Sequence, residues 1–99
     1  LRLGLVMQIK QTQRFQKAVK KLHSNQKHDL DNAIKTLMQH PELGQIKKGD
    51  LAGVRVYKFK MQNQLTLLAY RIIDDIPCLL MLSLGSHENF YPDLKATSE

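Results

Sequence analysis

Several features that carry common protein chemistry are missing from this chain of 99 residues. It has no tryptophan, and Cys78 is its single cysteine. One thiol cannot form an internal disulfide, so the chain does not resemble a disulfide-stabilised secreted scaffold. Cys78 lies in an apolar run without groups that would stabilise a thiolate. This setting predicts a buried hydrophobic residue and argues against a catalytic nucleophile.

A long hydrophobic run is also missing. No segment approaches the ~20 apolar residues that a membrane-spanning helix needs. The opening "LRLGLVM" is too short for a signal peptide and is interrupted by Arg2 and Gly4. We therefore expect a cytoplasmic protein with no membrane partner. Residues 1–6 are predicted to be an N-terminal extension, residues 7–95 a single domain, and residues 96–99 a frayed tail.

The familiar motifs of metal and cofactor sites are absent as well. The histidines do not have the spacing of a zinc site, and the glycines do not form a phosphate-binding loop. There is no G-x-S-x-G segment for serine hydrolase chemistry. We predict no metal and no cofactor.

Positive charge is abundant. The chain has 15 Lys and Arg against 9 Asp and Glu, which gives a net charge of +6. A basic domain of this size attracts polyanions. Nucleic acid, an anionic membrane surface and an acidic protein are the candidate partners, and the alternative is a basic surface that serves only solubility.

The first half of the chain has the pattern of one strand and two helices. Residues 7–12 alternate apolar and polar side chains, as a short strand does. Two apolar stripes at helical spacing follow, with a break predicted at 23–26. Their members are Phe15, Ala18, Val19 and Leu22, then Leu30, Ala33, Ile34, Leu37 and Met38. Pro41 and Gly44 are predicted to end the second helix.

The second half is typical of strands. Residues 51–61 alternate, and residues 65–73 and 78–84 are nearly continuous apolar runs. The short links at 62–64 and 74–77 predict an antiparallel meander. The order β-α-α-β-β-β therefore predicts an α+β domain, with a helical hairpin packed on one face of the sheet.

Polar side chains at the ends of these strands are the candidate site. Arg55 and Arg71 interrupt apolar strands, and His87 and Tyr91 follow the last strand. Taken singly, each has an ordinary explanation: a solvated or ion-paired arginine, a turn histidine, an aromatic plug over the sheet edge. Together with the positive charge, they suit the cleavage of a phosphodiester. That reaction needs a base, an acid and cations for the phosphate, and histidine titrates near neutral pH.

The order of elements and three segments resemble the RelE/ParE superfamily of bacterial type II toxin–antitoxin toxins. The segments are "KGDLAGVRVYKF" (48–59), "AYRI" (69–72) and "LGSHENFY" (84–91), and the last is similar to the YafQ-like and ParE-like branches. The resemblance implies one of two activities. RelE-type and YafQ-type members cut mRNA in the ribosomal A site, whereas ParE-type members poison DNA gyrase. Both types are neutralised by an antitoxin.

The resemblance also implies roles for individual residues. His87 would be the general acid or base, Arg55 and Arg71 would hold the scissile phosphate, and Tyr91 would stack on or orient a nucleotide. Four lysines would contact the RNA backbone: Lys47, Lys48, Lys58 and Lys60. The leading hypothesis is thus a ribosome-dependent mRNA endonuclease with an antitoxin, the ribosome and mRNA as partners.

Two alternatives stay open. The first is a gyrase inhibitor, which needs no histidine acid or base. The second is an attenuated toxin that only binds its antitoxin. Pro92 favours the second, because it follows Tyr91 where the resemblance leads us to expect a basic residue, and because it restricts Tyr91 to extended conformations.

Overall fold

The computed structural model describes residues 8–73 and 78–86. Within them it has two α-helices, five β-strands and two short 3-10 turns. The helices are α1 (Gln13–Lys20) and α2 (Ser24–Gln39). The strands are β1 (Gln8–Gln11), β2 (Gln45–Ile46), β3 (Arg55–Met61), β4 (Gln64–Ile73) and β5 (Cys78–Gly85). The 3-10 turns are Pro41–Leu43 and Gly49–Leu51. The α+β class predicted from the sequence is confirmed.

The five strands form one mixed sheet in the order β1-β5-β4-β3-β2. Strands β3, β4 and β5 make the predicted antiparallel meander. Strand β1 lies parallel to β5, with Gln8 opposite Cys78. Strand β2 was not predicted, because two residues are too few to show a periodic pattern.

Both helices begin at a side-chain cap. The Thr12 hydroxyl accepts a hydrogen bond from the Phe15 amide at 3.1 Å and donates one to the Leu82 carbonyl at 2.8 Å, so it ties α1 to β5. The His23 amide donates to the Gln26 side-chain oxygen at 2.8 Å. This capping box starts α2 at Ser24, so the break predicted at 23–26 is wrong in its extent.

Each face of the sheet has its own core. On the helix face, which α1 and α2 cover, Phe15, Leu30 and Leu37 pack against strand residues such as Leu68 and Tyr70. On the far face, Leu51 and Val54 of the 49–54 segment pack against strand residues, which are Val56, Leu67, Ala69 and Leu82. Side chains of successive strand residues alternate between these two faces.

A side-chain clamp holds the β3–β4 turn against α2. Gln62 and Asn63 form this turn with φ of 51° and 69°, so both occupy the left-handed region. The Asp29 carboxylate accepts hydrogen bonds from the Gln62 amide at 2.8 Å and from its side-chain nitrogen at 2.7 Å. The Asn25 side chain adds a bond to the Gln62 side-chain oxygen at 3.0 Å. The clamp fixes the hairpin despite the unfavourable backbone of Gln62.

Candidate functional site

The register of β3 and β4 separates the two arginines of the predicted site. Arg55 pairs directly with Tyr70, so these two side chains share the helix face. Arg71 is the next residue along β4, and its side chain lies on the far face. The two arginines expected to hold one scissile phosphate therefore lie on opposite faces of the sheet.

The contacts of Arg55 are structural. Its Nη1 donates to the carbonyl oxygens of Glu42 at 3.2 Å and Gly44 at 3.0 Å. These carbonyls belong to the connection between α2 and β2. Arg55 thus satisfies backbone acceptors that follow the end of a helix.

Tyr70, which was not singled out as a site residue, completes this anchor. Its hydroxyl donates to the Pro41 carbonyl at 2.5 Å and accepts from the Gly44 amide at 2.9 Å. The side chain is fully buried, and this burial raises the pKa of the hydroxyl above its ordinary value of 10.0. Its place in "AYRI" gave no sign of this role, because the contact joins residues 26 positions apart.

Arg71 lies far from the end of β5. It pairs with Leu80, five residues before Gly85. At about 3.3 Å per residue, that is roughly 16 Å along the strand. A Cβ added at Gly53 would lie 2.8 Å from Arg71 Nη2, so the guanidinium packs against the 49–54 segment.

Two of the four predicted RNA-binding lysines lie near the end of β5. Lys58 pairs with Leu67, and Leu67 pairs with Gly85, so Lys58 and Gly85 stand in one row across three strands. Two strand spacings separate them by about 10 Å. Lys60 lies two residues further along β3 on the same far face, and both lysines are exposed. The far face therefore carries exposed cations at the edge where β5 ends.

The other two predicted RNA-binding lysines lie at the opposite end of β3. Lys47 is half-buried, and its amide donates to the Val54 carbonyl at 2.9 Å. Lys48 is exposed and precedes the Gly49–Leu51 turn. The four lysines thus form two separate pairs.

His87 and Tyr91, the remaining predicted catalytic residues, lie outside the described residues. The described chain ends at Ser86, directly after β5. The roles of His87 and Tyr91 therefore stay predictions.

A basic groove of about 650 Å³ runs between α1 and the ends of β4 and β5. Arg14, Lys17 and Lys21 line one wall, and Gly85 and Ser86 lie on the other. The three cations occur at i, i+3 and i+7, a spacing visible in the sequence.

Other kinds of site are not apparent in the part of the chain that is described. Among residues 8–73 and 78–86, no group of three His, Cys, Asp or Glu side chains is arranged to hold a metal ion. In the same residues, no helix is long and apolar enough to cross a membrane.

Comparison with known proteins agrees with this fold. Residues 9–95 match the family model for the ParE-like toxin of type II bacterial toxin–antitoxin systems. No curated protein sequence matches the chain. Among solved structures, a mutant of the Escherichia coli toxin RelE in the free state superposes with a TM-score of 0.72 at 19% identity, covering 94% of each chain.

Two further solved structures are similar. The intact E. coli RelBE toxin–antitoxin complex gives a TM-score of 0.67 at 22% identity, covering 83% of this chain and 98% of the other. The YoeB/ParE toxin from Agrobacterium tumefaciens gives 0.65 at 17% identity, covering 82% and 99%. At these identities the structures establish the fold alone.

Proposed function

This chain belongs to the ParE-like toxin family of type II bacterial toxin–antitoxin systems, and we propose that it is a ribosome-dependent mRNA endonuclease that inhibits translation. One observation carries the proposal. Lys58 stands in the same row as Gly85, so β5 ends near two exposed lysines, and His87 follows Gly85 by two residues in the sequence.

The chemistry needs only a few groups. The 2′-oxygen of RNA loses a proton and attacks the adjacent phosphorus, and the 5′-oxygen leaves with a proton. The products are a 2′,3′-cyclic phosphate and a 5′-hydroxyl. A histidine is suited to one of these proton transfers near neutral pH. Lysine ammonium groups stabilise the additional negative charge on the phosphate.

For the two arginines, the proposed roles differ from those that the family resemblance implies. We assign proton transfer to His87 and phosphate binding to Lys58 and Lys60. Arg55 is an anchor for the α2–β2 connection, since its guanidinium is engaged by two carbonyls. Arg71 lies about 16 Å along the strand from Gly85 and is assigned to a more distant part of the bound RNA.

Gyrase inhibition is the second candidate function. It is favoured by the engagement of Arg55, which removes one of the two arginines that the nuclease hypothesis assigned to the scissile phosphate. A gyrase inhibitor breaks no bond itself and needs neither arginine at a phosphate.

An antitoxin is the proposed protein partner. A mutant of the E. coli RelE toxin has been solved in complex with an antitoxin RelB peptide, and the archaeal RelE from Pyrococcus horikoshii has been solved in complex with RelB. We propose that this chain is likewise neutralised by a protein of opposite charge. Because ribosomes and mRNA are the proposed targets, we place its action in the cytoplasm.

Induced expression tests the nuclease proposal. The wild type, His87→Ala and the double variant Lys58→Ala/Lys60→Ala are expressed, and mRNA ends and gyrase–DNA breaks are mapped in the same cells. Lys35→Ala is the matched control, because Lys35 is an exposed cation in the second half of α2, towards the end of the sheet where Pro41 bonds to Tyr70. We expect codon-phased cuts for the wild type and the control, and none for His87→Ala.

Three other results of this experiment would change the proposal. Gyrase–DNA breaks with intact mRNA would replace the nuclease with the gyrase inhibitor. If both mRNA and DNA stay intact and growth is unimpaired, the chain is an attenuated toxin that binds only its antitoxin. Cuts that persist in His87→Ala would overturn the role of His87.

A further inference from the structure

We propose that the basic groove between α1 and the ends of β4 and β5 is a binding site for a free nucleoside triphosphate. Its volume of about 650 Å³ lies within the roughly 300–1,000 Å³ that is usual for small-molecule sites. The groove joins a cationic wall to an apolar floor, and the described residues that line it include no Asp or Glu. A ligand that carries several negative charges at one end and a flat base at the other matches both parts.

The positive charge of the wall goes beyond what the helix needs. Lys17 lies in the last turn of α1 and Lys21 at its C-cap, where positive charge stabilises a helix. Arg14 lies in the first turn, where the helix dipole disfavours a cation, and that turn contains no acid to balance it. Arg14 is nevertheless exposed and lines the groove. Its position indicates an anionic ligand.

The three cations form a row that suits a short chain of phosphates. Arg14 and Lys21 are seven positions apart in the sequence, which at about 1.5 Å per residue is about 10 Å along the helix axis. Lys17 stands between them on the same face. Guanidinium and ammonium groups donate charge-assisted hydrogen bonds to phosphate oxygens. A fatty acid, with its single carboxylate, would neutralise only one of the three cations.

The floor of the groove is apolar and partly uncovered. Leu65, on β4, is 47% exposed although it is a large hydrophobic residue. It lines the groove together with Leu22 and Leu84, which are half-buried. Covering these side chains is favourable in proportion to the apolar area removed from water. The face of a nucleobase can provide that cover without a requirement for one particular base.

Two buried polar residues, Thr66 and Ser83, also line the groove. The Thr66 hydroxyl donates to the Gln64 carbonyl at 3.1 Å, which leaves its oxygen free to accept. The Ser83 hydroxyl makes no hydrogen bond within residues 8–73 and 78–86, whereas buried polar groups usually have a partner. A nucleoside can supply donors and acceptors through the edges of its base.

Other occupants match the groove less well. A second copy of this chain would bring a net charge of +6 towards the cationic wall, and like charges repel. An RNA strand shares the chemistry of a nucleotide but continues past the groove at both ends. Competition between the two ligands separates a strand from a free nucleotide.

Calorimetric titration of the whole 99-residue chain with ATP, without RNA, tests the site. Adenosine and inorganic triphosphate are partial ligands, because each can occupy only one part of the groove. ATP should bind at one site per chain, and each partial ligand should bind about tenfold more weakly or less. Added salt should weaken the binding of ATP and triphosphate but not that of adenosine, because salt screens exposed charges.

Variants at exposed positions assign the two parts of the groove. Arg14→Gln/Lys17→Gln should weaken the binding of both ATP and triphosphate about tenfold. Lys20→Gln is the matched control, because Lys20 is an exposed cation on α1 that does not line the groove. Leu65→Ser should weaken the binding of ATP and leave that of triphosphate unchanged. Thermal unfolding checks that each variant is folded.

Three results would overturn the proposal. The first is no saturable binding of ATP up to about 1 mM. The second is equal affinity for ATP and inorganic triphosphate, which would leave a site for an adventitious ion only. The third is a short RNA that binds through Arg14 and Lys17 and is not displaced by ATP, which would assign the groove to a strand. None of these readouts depends on RNA cleavage, so a failed nuclease assay would leave this test standing.

Discussion

Gly44 lies against the ring of Tyr70, which leaves no room for a side chain at Gly44. A Cβ at Gly44 would come within 2.6 Å of the Tyr70 hydroxyl and 2.7 Å of its Cε1. The Gly44 amide donates to that hydroxyl, which in turn donates to Pro41. This contact decides where the chain leaves α2 and where β2 begins.

Replacing Tyr70 with Phe should destabilise the fold. The change leaves the Gly44 amide and the Pro41 carbonyl without their partner. An unsatisfied buried group costs about 1–3 kcal/mol of unfolding free energy, which urea denaturation near neutral pH will measure. The matched control is Tyr57→Phe, since no hydrogen bond to the Tyr57 hydroxyl occurs among the described residues, and it should change stability by less than about 0.5 kcal/mol.

The same variant should alter the dependence of stability on alkaline pH. Burial raises the pKa of Tyr70 in the folded protein above its ordinary value of 10.0, so above about pH 10 the unfolded state binds fewer protons. This contribution is full below that pH and is lost as the pH rises towards the folded pKa. The wild type should therefore lose stability more steeply above pH 10 than Tyr70→Phe. Parallel curves would contradict the burial of the hydroxyl.

A methyl group at Gly44 should also be costly. Gly44→Ala forces the Cβ against a ring that is fully buried, and overpacking of this kind costs about 1–3 kcal/mol. The φ of Gly44 is −67°, so the cost would come from the contact alone. Gly49→Ala is the comparison, because its φ is +70° with nothing within 4 Å. Thermal unfolding of both variants separates steric overlap from backbone strain.

Arg55 should behave as an anchor when it is replaced. Arg55→Ala removes two hydrogen bonds to carbonyls, and we expect a loss of about 1–2 kcal/mol of unfolding free energy. Arg55→Lys keeps the charge but lacks the planar fork, so it should recover only part of that loss. If Arg55→Ala leaves stability unchanged and abolishes RNA binding, then Arg55 binds phosphate, as the resemblance implies, and does not anchor the α2–β2 connection.

The clamp at the β3–β4 turn predicts that Asp29, on α2, contributes to the stability of the fold. Asp29→Ala removes both hydrogen bonds to Gln62 and should cost about 1–2 kcal/mol. Asp31→Ala is the control on the same helix, because Asp31 is exposed and has no hydrogen bond among the described residues. It should stay within about 0.5 kcal/mol of the wild type. Equal effects in both variants would mean that the clamp contributes nothing.

Much of the fold could be predicted because its patterns are local. The stripes from Phe15 and from Leu30 indicated α1 and α2, and the alternation from Leu51 indicated β3. Short turns then predicted the meander. The parallel pairing of β1 with β5 carries no such local signal, since it joins distant parts of the chain.

The site was harder to predict because it depends on register. A shift of one residue moves a side chain to the other face of a sheet, and Arg55 opposite Tyr70 separates Arg55 from Arg71 in this way. The register also shifts between Ala69 and Tyr70 where β4 meets β5. The spacing of apolar residues within one strand shows neither the register between β3 and β4 nor the shift between β4 and β5.

The pairing of β1 with β5 has a consequence for how this protein is made. Thr12, directly after β1, donates a hydrogen bond to the carbonyl of Leu82, which is 70 residues later in the chain. At translation rates of about 5–20 residues per second, β1 waits roughly 4–14 s for its partner strand to be synthesised. Such a distant contact also carries a large entropic cost of loop closure. The sheet can therefore be completed only after β5 (Cys78–Gly85) has been synthesised and has left the ribosome.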